Sequence, residues 1–393
     1  MSWHPPVPAA VPDAEGTQWL VVRSWPHLTA GDYTLEVSRP ERPGVRAARI
    51  RAGQAKVLPA GRDRGMPDLA RLAPLGEVIV HRSWKRAVVK SGDRYFKVFR
   101  LGYAAEAAAR HARMSRLLDA GDFLTPELLD CTPGSITLAG LPGRSLFELG
   151  QDSGTTEADF EAAWQQWSRR WVRQQTLARS PALRPAVEAL PPRPAAVELE
   201  NLQRLTDLWL VHAGQVPAAA AQRRAVRAAA RDVADRLLGA DPDPLVWSHG
   251  DLHDKQILVQ DPGGPLGLLD FDEAGRAEAA ADLANLAVHL GLRLGQGRLT
   301  AARYRFAHRQ VIEAAAELRV TPARFEAYAR ATRLRLGCLY SFRPQWTAVA
   351  GELLTRAADD VGLPAAGRPA AAWREGTGVS RPAPRSPAAL PPA

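Results

Sequence analysis

A short strand-rich stretch interrupts the helical second half of this chain, and it restricts the possible folds more than any other feature. It runs from Leu245 to Gly275 with the sequence LVWSHGDLHDKQILVQDPGGPLGLLDFDEAG. Its apolar runs are short, and Asp-Pro-Gly-Gly between two of them is a turn signal. The stretch therefore predicts a short strand at Val246 and Trp247, then a loop, and then a β-hairpin.

Polar side chains lie at the open end of this predicted hairpin. A hairpin brings its far ends together, so Gln256 before the first strand and Asp270 at the end of the second should converge, with Asp251 and Lys255 on the adjoining loop. Oxygen ligands from one or two side chains, completed by phosphate, suit Mg²⁺. A nearby carboxylate can orient and deprotonate a hydroxyl nucleophile. The pattern thus indicates phosphate chemistry.

The rest of the chain divides into a strand-rich part followed by a helical part. Alternating apolar segments predict strands in Gln18–Pro59 and again from Glu77 to Arg100, and an Ala-rich helix follows over Tyr103–Ala120. A later helix carries an aromatic stripe that we expect to be core, formed by Phe160, Trp164, Trp167 and Trp171. Further helices are expected over Val197–Ala213, Gln222–Leu238, Asp282–Leu294, Ala301–Leu318 and Pro322–Leu339.

Composition excludes several classes of protein. The chain has 393 residues and a net charge of +9, but its basic residues form no concentrated block, so we expect no nucleic-acid partner. There is no apolar run of eighteen residues to span a membrane, and the N-terminus lacks the pattern of a secretory signal. Two cysteines provide neither a disulfide framework nor a CxxC zinc site. We therefore expect a cytoplasmic protein; its oligomeric state is not predicted.

The ordered motifs resemble those of the aminoglycoside phosphotransferase family, a branch of the protein-kinase-like fold. The resemblance is carried by HGDLHDKQ, then LLDFDEAG, then Asp282-Leu283-Ala284, and it extends over roughly residues 76–362. It implies an α+β, bilobal protein-kinase-like fold with a strand-rich N-lobe and a mainly helical C-lobe. We expect a strand-containing N-terminal extension (1–75), the N-lobe (76–140), the C-lobe with the catalytic loop (141–363) and a disordered Pro/Ala-rich tail (364–393).

The resemblance also implies roles for individual residues. Asp251 matches the catalytic aspartate that accepts the proton of the substrate hydroxyl, and Asp270 matches a Mg²⁺ ligand. Gln256 stands where the family usually has Asn as the second metal ligand; it offers the same amide oxygen on a longer stem. Lys97 matches the strand lysine that neutralises nucleotide phosphates. Asp282 is expected to cap the helix that it begins and to brace the loop.

Two assignments stay open at this point. Glu106, on the helix after the Lys97 strand, best matches the partner that orients this lysine, but an ordinary surface pair with Arg110 competes. The segment VIVHRSWKRAVV lacks the GxGxxG pattern of a phosphate-cradling loop. Charge and backbone N–H groups at its centre could cover phosphates instead, from His81, Arg82, Ser83 and Lys85.

The function implied is a phosphotransferase that moves the γ-phosphate of ATP, or GTP, with Mg²⁺ to a hydroxyl of a small molecule. The region from residue 155 to 240 should build the acceptor pocket, and its acidic residues do not clearly outnumber its arginines. A cationic aminoglycoside is therefore not favoured over a sugar, amino alcohol or nucleoside. Gln256 and the glycine-poor loop motivate the alternative, an inert kinase-like module that binds nucleotide or regulates a partner.

Overall fold

The computed structural model describes residues 3–121, 123–214, 216–260 and 263–359. Strands dominate the first third of the described chain, and helices dominate the rest. The predicted tail at 364–393 lies outside the described residues. Within the described residues, no helix is both long enough and apolar enough to cross a bilayer.

The N-terminal part of the described chain folds into an antiparallel meander, in which each strand pairs with the next. Its strands are β1 (Ala10–Pro12), β2 (Gln18–Pro26), β3 (Tyr33–Arg39), β4 (Arg42–Arg51) and β5 (Gln54–Val57). A short helix, α1 (Asp68–Leu72), and a 3-10 turn at Ala73–Leu75 lead to the next sheet. This first sheet is called the N-terminal sheet below.

A second antiparallel sheet forms the N-lobe, with the strand order β10-β11-β8-β7-β6 among the described residues. Its elements are β6 (Glu77–Arg82), β7 (Arg86–Ser91), β8 (Arg94–Phe99), α2 (Ala104–Leu118), β10 (Leu128–Cys131) and β11 (Ser135–Ala139), with β9 (Phe123–Leu124) pairing elsewhere. The register places Val88 opposite Lys97 and Arg86 opposite Phe99, so these four side chains share one face of the sheet.

The C-lobe is mainly helical. Its elements are β12 (Arg144–Ser145), α3 (Leu146–Gln151), α4 (Glu157–Leu177), α5 (Arg184–Glu188), α6 (Ala195–Ala213), α7 (Ala220–Gly239), β13 (Leu245–Ser248), β14 (Ile257–Val259), β15 (Leu266–Leu268), β16 (Gly275–Glu278), α8 (Ala279–Gly295), α9 (Ala301–Glu317), α10 (Pro322–Tyr340) and α11 (Thr347–Asp359). Further 3-10 turns lie at Pro217–Ala219, Phe271–Glu273 and Pro344–Trp346. The expected hairpin is β14–β15, and β13 pairs with β16.

Two apolar clusters hold these elements together. The aromatic stripe of α4 is buried in one of them as expected, with Trp167 and Trp171 fully buried against the β14–β15 hairpin and α9. In the other cluster, Leu35 and Val37 of the N-terminal sheet join Trp209 of α6 and Leu334 of α10. The N-terminal sheet therefore packs on the helical C-lobe through a continuous core. It also contacts the N-lobe, since β4 packs beside β6.

Candidate active site

The loop between β13 and β14, residues 249–256, carries the chemistry-bearing motif, and α8 holds it in place. Asp282 accepts the backbone N–H of His249 at 2.7 Å and that of Gly250 at 2.9 Å, one on each carboxylate oxygen. The bracing role predicted for Asp282 is thus seen, but the capping role is wrong. Helix α8 begins three residues earlier, at Ala279, with Glu278 as its N-cap residue.

Three further polar residues follow Asp282 along one face of α8, at helical spacings of three or four, and each contacts the loop. They are Asn285, His289 and Arg293. The His289 ring lies 4.9 Å from the ring of His253, and Arg293 binds both carboxylate oxygens of Asp254 at 2.9 Å. The loop is therefore supported residue by residue along a single helix face.

Asn285 is the member of this face that reaches Asp251. Its Nδ2 lies 3.4 Å from Oδ1 of Asp251 and donates to the carbonyl oxygen of Leu252 at 2.9 Å. Arg335, on α10, donates to Oδ1 of Asn285 at 2.7 Å. Because a guanidinium only donates, it fixes the amide oxygen toward itself and leaves the NH₂ group facing Asp251.

Gly250 and His249 set the path of the loop. Gly250 has a φ of +82°, and a Cβ at this position would collide with the carbonyl oxygen of Glu273. A side chain is therefore excluded here by both conformation and space. His249 donates from Nε2 to the carbonyl oxygen of Leu269 at 2.7 Å, which ties the loop to the residue that precedes Asp270.

Lys97 and Asp270 meet across the cleft between the lobes. Nζ of Lys97 lies 2.5 Å from Oδ1 of Asp270 and 3.2 Å from Oδ1 of Asp272. Arg86 joins them, bonding Asp272 and lying 3.5 Å from Asp270. Asp270 itself has a φ of +62°, which is uncommon for a residue with a side chain. Two cations of the N-lobe thus face two carboxylates of the C-lobe.

The opposite charges of Lys97, Arg86, Asp270 and Asp272 keep these side chains ionised. Burial opposes the charged form of Lys97, but the carboxylates of Asp270 and Asp272 outweigh it, so the pKa of Lys97 lies above its ordinary value. Burial likewise opposes ionisation of Asp270, yet Lys97 and Arg86 hold its pKa well below the usual range. Asp270 is therefore an ionised carboxylate, with hard oxygens, at neutral pH.

Gln256 lies beside the Asp270 end of the hairpin. Its backbone carbonyl oxygen accepts the N–H of Leu269 at 3.0 Å, and its side-chain Nε2 lies 3.3 Å from Nε2 of His253. The backbone of Gln256 thus lies next to the residue that precedes Asp270, at the open end of the hairpin. Carboxylate oxygens, as in Asp270 and Asp272, and an amide oxygen, as in Gln256, are donors of the kind that a hard cation takes, with phosphate and water completing its shell.

The structure corrects the expected role of Glu106. Its carboxylate accepts from Nη2 of Arg110 at 2.6 Å, and its side chain is 69% exposed. Lys97 is paired instead with Asp270 and Asp272. The physical reason is that Glu106 lies in the exposed first turn of α2, where Arg110, four residues later, is its helical neighbour. The competing surface pair is therefore the arrangement found.

The glycine-poor segment of residues 81–86, which includes the turn between β6 and β7, is held by residues outside the N-lobe. His81 and Ser83 are buried, and their side chains contact Asp63 and Arg49. Arg82 lies 4.8 Å from the ring centre of Trp25. Of the four residues proposed to cover phosphates, His81 and Ser83 therefore have their side chains engaged elsewhere.

Sequence reasoning missed Arg86, Asn285 and Arg335. For Arg86 a signal existed: once β7 and β8 are paired in register, Arg86 falls on the same face as Lys97. For Asn285 the signal is its spacing of three from Asp282 on one helix face. Arg335 comes from a helix fifty residues further along, and no local pattern marks it.

Comparison with known proteins agrees with this geometry. The model of the phosphotransferase enzyme family matches residues 71–318. The chain belongs to this family. Its fold is accordingly the bilobal protein-kinase-like fold that the motifs predicted. No curated protein matches the chain.

Solved structures similar to this phosphotransferase-family chain include three kinases of small molecules. A glucosamine kinase is 20% identical, with 90% of this chain and 96% of that chain covered and a TM-score of 0.47. An aminoglycoside phosphotransferase from Streptomyces rimosus is 21% identical, with 65% and 89% covered and a TM-score of 0.44. A choline kinase from Cryptosporidium parvum is 9% identical, with 75% and 92% covered and a TM-score of 0.49.

Proposed function

We propose that this protein transfers the γ-phosphate of ATP, or GTP, to a hydroxyl group of a small molecule. The observation that carries the proposal is the placement of Asp251 on a braced loop beside a cleft in which Lys97 and Arg86 face Asp270. Positioning and charge neutralisation are what phosphoryl transfer requires of a protein. The family supplies the reaction class.

Each residue has a distinct task in this proposal. Asp251 accepts the proton of the attacking hydroxyl, and Asn285 holds its carboxylate. Lys97 and Arg86 neutralise nucleotide phosphates. Both cations lie against Asp270 in the cleft, where the phosphates of a nucleotide bound through a metal at Asp270 would meet them. The pair of Lys97 with Asp270 spans the cleft between the lobes, and phosphate oxygens entering between them would replace part of that contact.

Asp270 and Gln256 would hold Mg²⁺ in this proposal, with Asp272 next to them. Mg²⁺ held there would supply charge neutralisation and orientation for the phosphates. Asp272 already bonds Lys97 and Arg86, so we assign it to positioning those cations. The assembled set of Asp251, Asp270 and Lys97 supports an enzyme over the inert module considered above.

A panel of hydroxylated small molecules tests the proposal, with ADP release measured in the presence of Mg²⁺ and then of Mn²⁺. We expect ADP release that depends on an acceptor in the wild type and is lost in Lys97→Met, while Asp119→Asn on the exposed end of α2 matches the wild type. Mg·ATP binding without turnover on any acceptor would favour the inert module.

The metal assignment of Gln256 has its own test. Gln256→Asn keeps the amide and should retain activity, whereas Gln256→Leu keeps a similar volume without a ligand and should lose most of it. Since Mg²⁺ demands stricter octahedral geometry, the Asn variant should shift preference toward Mn²⁺. If Gln256→Leu is as active as the parent, Gln256 is no ligand.

A further inference from the structure

A cavity of about 710 Å³ opens between the N-terminal sheet and the beginning of the N-lobe. Strands β2 and β4 form one wall, and residues 60–62, α1 and the segment that leads into β6 form the other. Pockets that bind small molecules commonly have volumes of about 300–1,000 Å³. The cavity is therefore large enough for a small organic molecule and too small for a folded domain.

This cavity lies away from the proposed active site. Glu77 and Val78, at the beginning of β6, line it, whereas the turn that leads to Arg86 follows the end of the same strand. A strand of six residues spans about 17 Å. Because Arg86 lies 3.5 Å from Asp270, the cavity and the cleft are at opposite ends of β6.

Three arginines and one glutamate are the charged residues that line the cavity, which we call the arginine cavity. Arg42 and Arg46 come from β4, Arg62 from the segment after β5, and Glu77 from β6. Within the part of the chain that the structure describes, the side chains of Arg42 and Arg62 make no hydrogen bond or ion pair. Both can therefore bond a ligand without giving up a contact inside the protein.

The acidic side chains that flank these arginines in the sequence are bound to other partners. Glu41 accepts from Nε of Arg39 at 3.4 Å, and Asp63 lies 3.3 Å from Nε2 of His81. Neither carboxylate lines the cavity. The arginine cavity therefore carries an excess of positive charge, which attracts an anion.

Arg46 is held in place by an aromatic ring. Its guanidinium lies 4.5 Å from the ring centre of Trp19, which is 3% exposed and donates from Nε1 to Oδ2 of Asp13 at 2.9 Å. A guanidinium over an aromatic face keeps its N–H donors available for the paired hydrogen bonds that carboxylates and phosphates accept. Arg46 is thus positioned before a ligand binds, which lowers the entropic cost of binding.

Close contacts between the two walls fix the shape of the cavity. A Cβ atom on Gly61 would lie 2.5 Å from Cβ of Ala73, and one on Gly44 would lie 3.0 Å from the carbonyl oxygen of Val78. Ala73, Val78 and Pro74 also give the cavity an apolar lining. The cavity is therefore formed in advance, with an apolar surface for the carbon skeleton of a ligand.

We propose that the arginine cavity binds a small organic anion, in which an apolar or aromatic body carries a phosphate or carboxylate group. The anionic group bonds Arg46 together with Arg42 or Arg62, and the body contacts the apolar lining. A ligand in this place bridges the N-terminal sheet and the N-lobe. The inference goes beyond the proposed function, because this ligand is neither the nucleotide nor the acceptor in the cleft.

Matched naphthalene probes that differ in charge test the arginine cavity. Calorimetric titrations of the full chain would use 2-naphthyl phosphate, 2-naphthoate, the neutral 2-naphthol and the cationic 2-naphthylmethylamine. We expect at least one of the two anions to bind about tenfold or more tightly than naphthol, and the amine to bind most weakly. The phosphate and carboxylate arms show which anion the cavity prefers. No nucleotide is present, so the result does not depend on the proposed function.

Charge variants locate the bound anion. Arg46→Gln, and Arg42→Gln combined with Arg62→Gln, should each weaken binding of the preferred anion about tenfold and leave naphthol binding unchanged. Arg94→Gln is the matched control, because Arg94 is an exposed arginine of β8 that does not line the cavity. It should bind the anion as tightly as the wild type.

A cavity-filling variant tests the same site without removing charge. Ala70 is an exposed residue of α1 that lines the cavity, so Ala70→Trp should block the binding of anions and naphthol alike. Ala162→Trp, at an exposed position of α4, should bind the probes as the wild type does. Thermal unfolding shows which variants are folded, and the charge variants decide the outcome if Ala70→Trp is not.

Three results would overturn the arginine cavity as an anion site. The first is binding of both anions that is no tighter than binding of naphthol. The second is anion binding that persists at wild-type affinity in folded Arg46→Gln and in the Arg42→Gln and Arg62→Gln double variant. The third is anion binding that is lost in Lys97→Met but not in the cavity variants, which would place the probe in the cleft.

Discussion

At the residue scale, the orientation of Asp251 depends on side chains of three helices outside its own loop. Arg335 is itself held, with Nε 3.1 Å from Oε1 of Glu198, so a chain of contacts runs from α6 through α10 and α8 to the loop. Each member fixes the next, because an arginine side chain has only hydrogen-bond donors, whereas an amide has an acceptor oxygen and a donor NH₂ group. The orientation of Asp251 therefore depends on three helices of the C-lobe, α6, α8 and α10.

Replacement of Asn285 tests this orientation. Asn285→Ala should lower kcat by about tenfold or more, because a misplaced base loses the alignment of the attacking hydroxyl. The KM for ATP should stay the same, since Asn285 does not contact the nucleotide side of the cleft. The matched control is Asn201→Ala on α6. An unchanged kcat in Asn285→Ala would show that Asp251 needs no such support.

The residues that could be found from the sequence are those that carry local motifs. Asp251, Gln256 and Asp270 could be proposed as site residues because they belong to one short stretch whose hairpin geometry could be inferred. Arg86 and Arg335 act through pairings between distant segments, which a single sequence does not show. Glu106 was misassigned because its helix could be predicted, whereas the direction of its first turn relative to the cleft could not.

At the element scale, α8 holds the loop of residues 249–256 in place, and a buried ion pair anchors the start of this helix. Glu278, the N-cap residue, accepts from Nε and Nη2 of Arg324 at 2.6 and 2.5 Å and from the Tyr328 hydroxyl at 2.9 Å. Both charged side chains are 1% exposed. The start of α8 is thus fixed to α10.

Arg324→Met should lower the free energy of unfolding by about 3–5 kcal/mol, because Glu278 would be left buried without its counter-charge. Chemical denaturation followed by circular dichroism measures it. Arg71→Met provides the comparison: the Arg71 side chain is 61% exposed in its pair with Asp68, and its loss should cost about 1 kcal/mol or less. Equal effects in the two variants would contradict the anchoring role.

The helices were the elements easiest to predict from the sequence, but the predicted start of α8 was wrong. The aromatic stripe of α4 follows from helical periodicity, which a buried face imposes. The start of α8 was misplaced because Asp282 looks like a cap residue in sequence. In the fold the Asp282 carboxylate accepts the loop's N–H groups, and Glu278 stands at the N-cap position instead.

At the scale of the whole molecule, the N-terminal sheet and the segment after it contact both lobes. Asp63 accepts the backbone N–H of Trp84 at 3.1 Å and lies 3.3 Å from Nε2 of His81, so it holds the β6–β7 turn. Trp84 has a φ of +62°, a costly conformation for a bulky residue. Alternating apolar residues predicted strands in this part of the chain, but they carry no sign of what those strands pack against.

Asp63→Asn should loosen this turn and raise the KM for ATP about tenfold, which corresponds to one charge-assisted hydrogen bond. Steady-state kinetics at varied ATP measures it, with Asp119→Asn as control. A KM equal to that of the wild type would show that the turn needs no support from Asp63.

The pH dependence of stability follows from the same carboxylate. Burial opposes ionisation of Asp63, but hydrogen bonds from His81, Ser83 and backbone N–H groups lower its pKa from 3.8 to about 2. Because the pKa of Asp63 is lower in the folded state than in the unfolded state, its ionisation stabilises the fold above pH 3.8. This stabilisation is lost as the pH falls toward 2. Thermal unfolding from pH 5 to 2 should therefore show a smaller acid loss in Asp63→Asn than in the wild type.

The most direct test of the account compares Asp251→Asn with Asp270→Asn in two measurements, phosphoryl transfer and Mg·ATP affinity. Asp251→Asn should lose transfer by about 10²–10⁴-fold with Mg·ATP affinity within about twofold of the wild type, because its carboxylate serves only the acceptor hydroxyl. Asp270→Asn should lose Mg²⁺-dependent nucleotide affinity as well as transfer. If Asp251→Asn keeps wild-type turnover, or Asp270→Asn keeps wild-type Mg·ATP affinity, the assigned site is wrong.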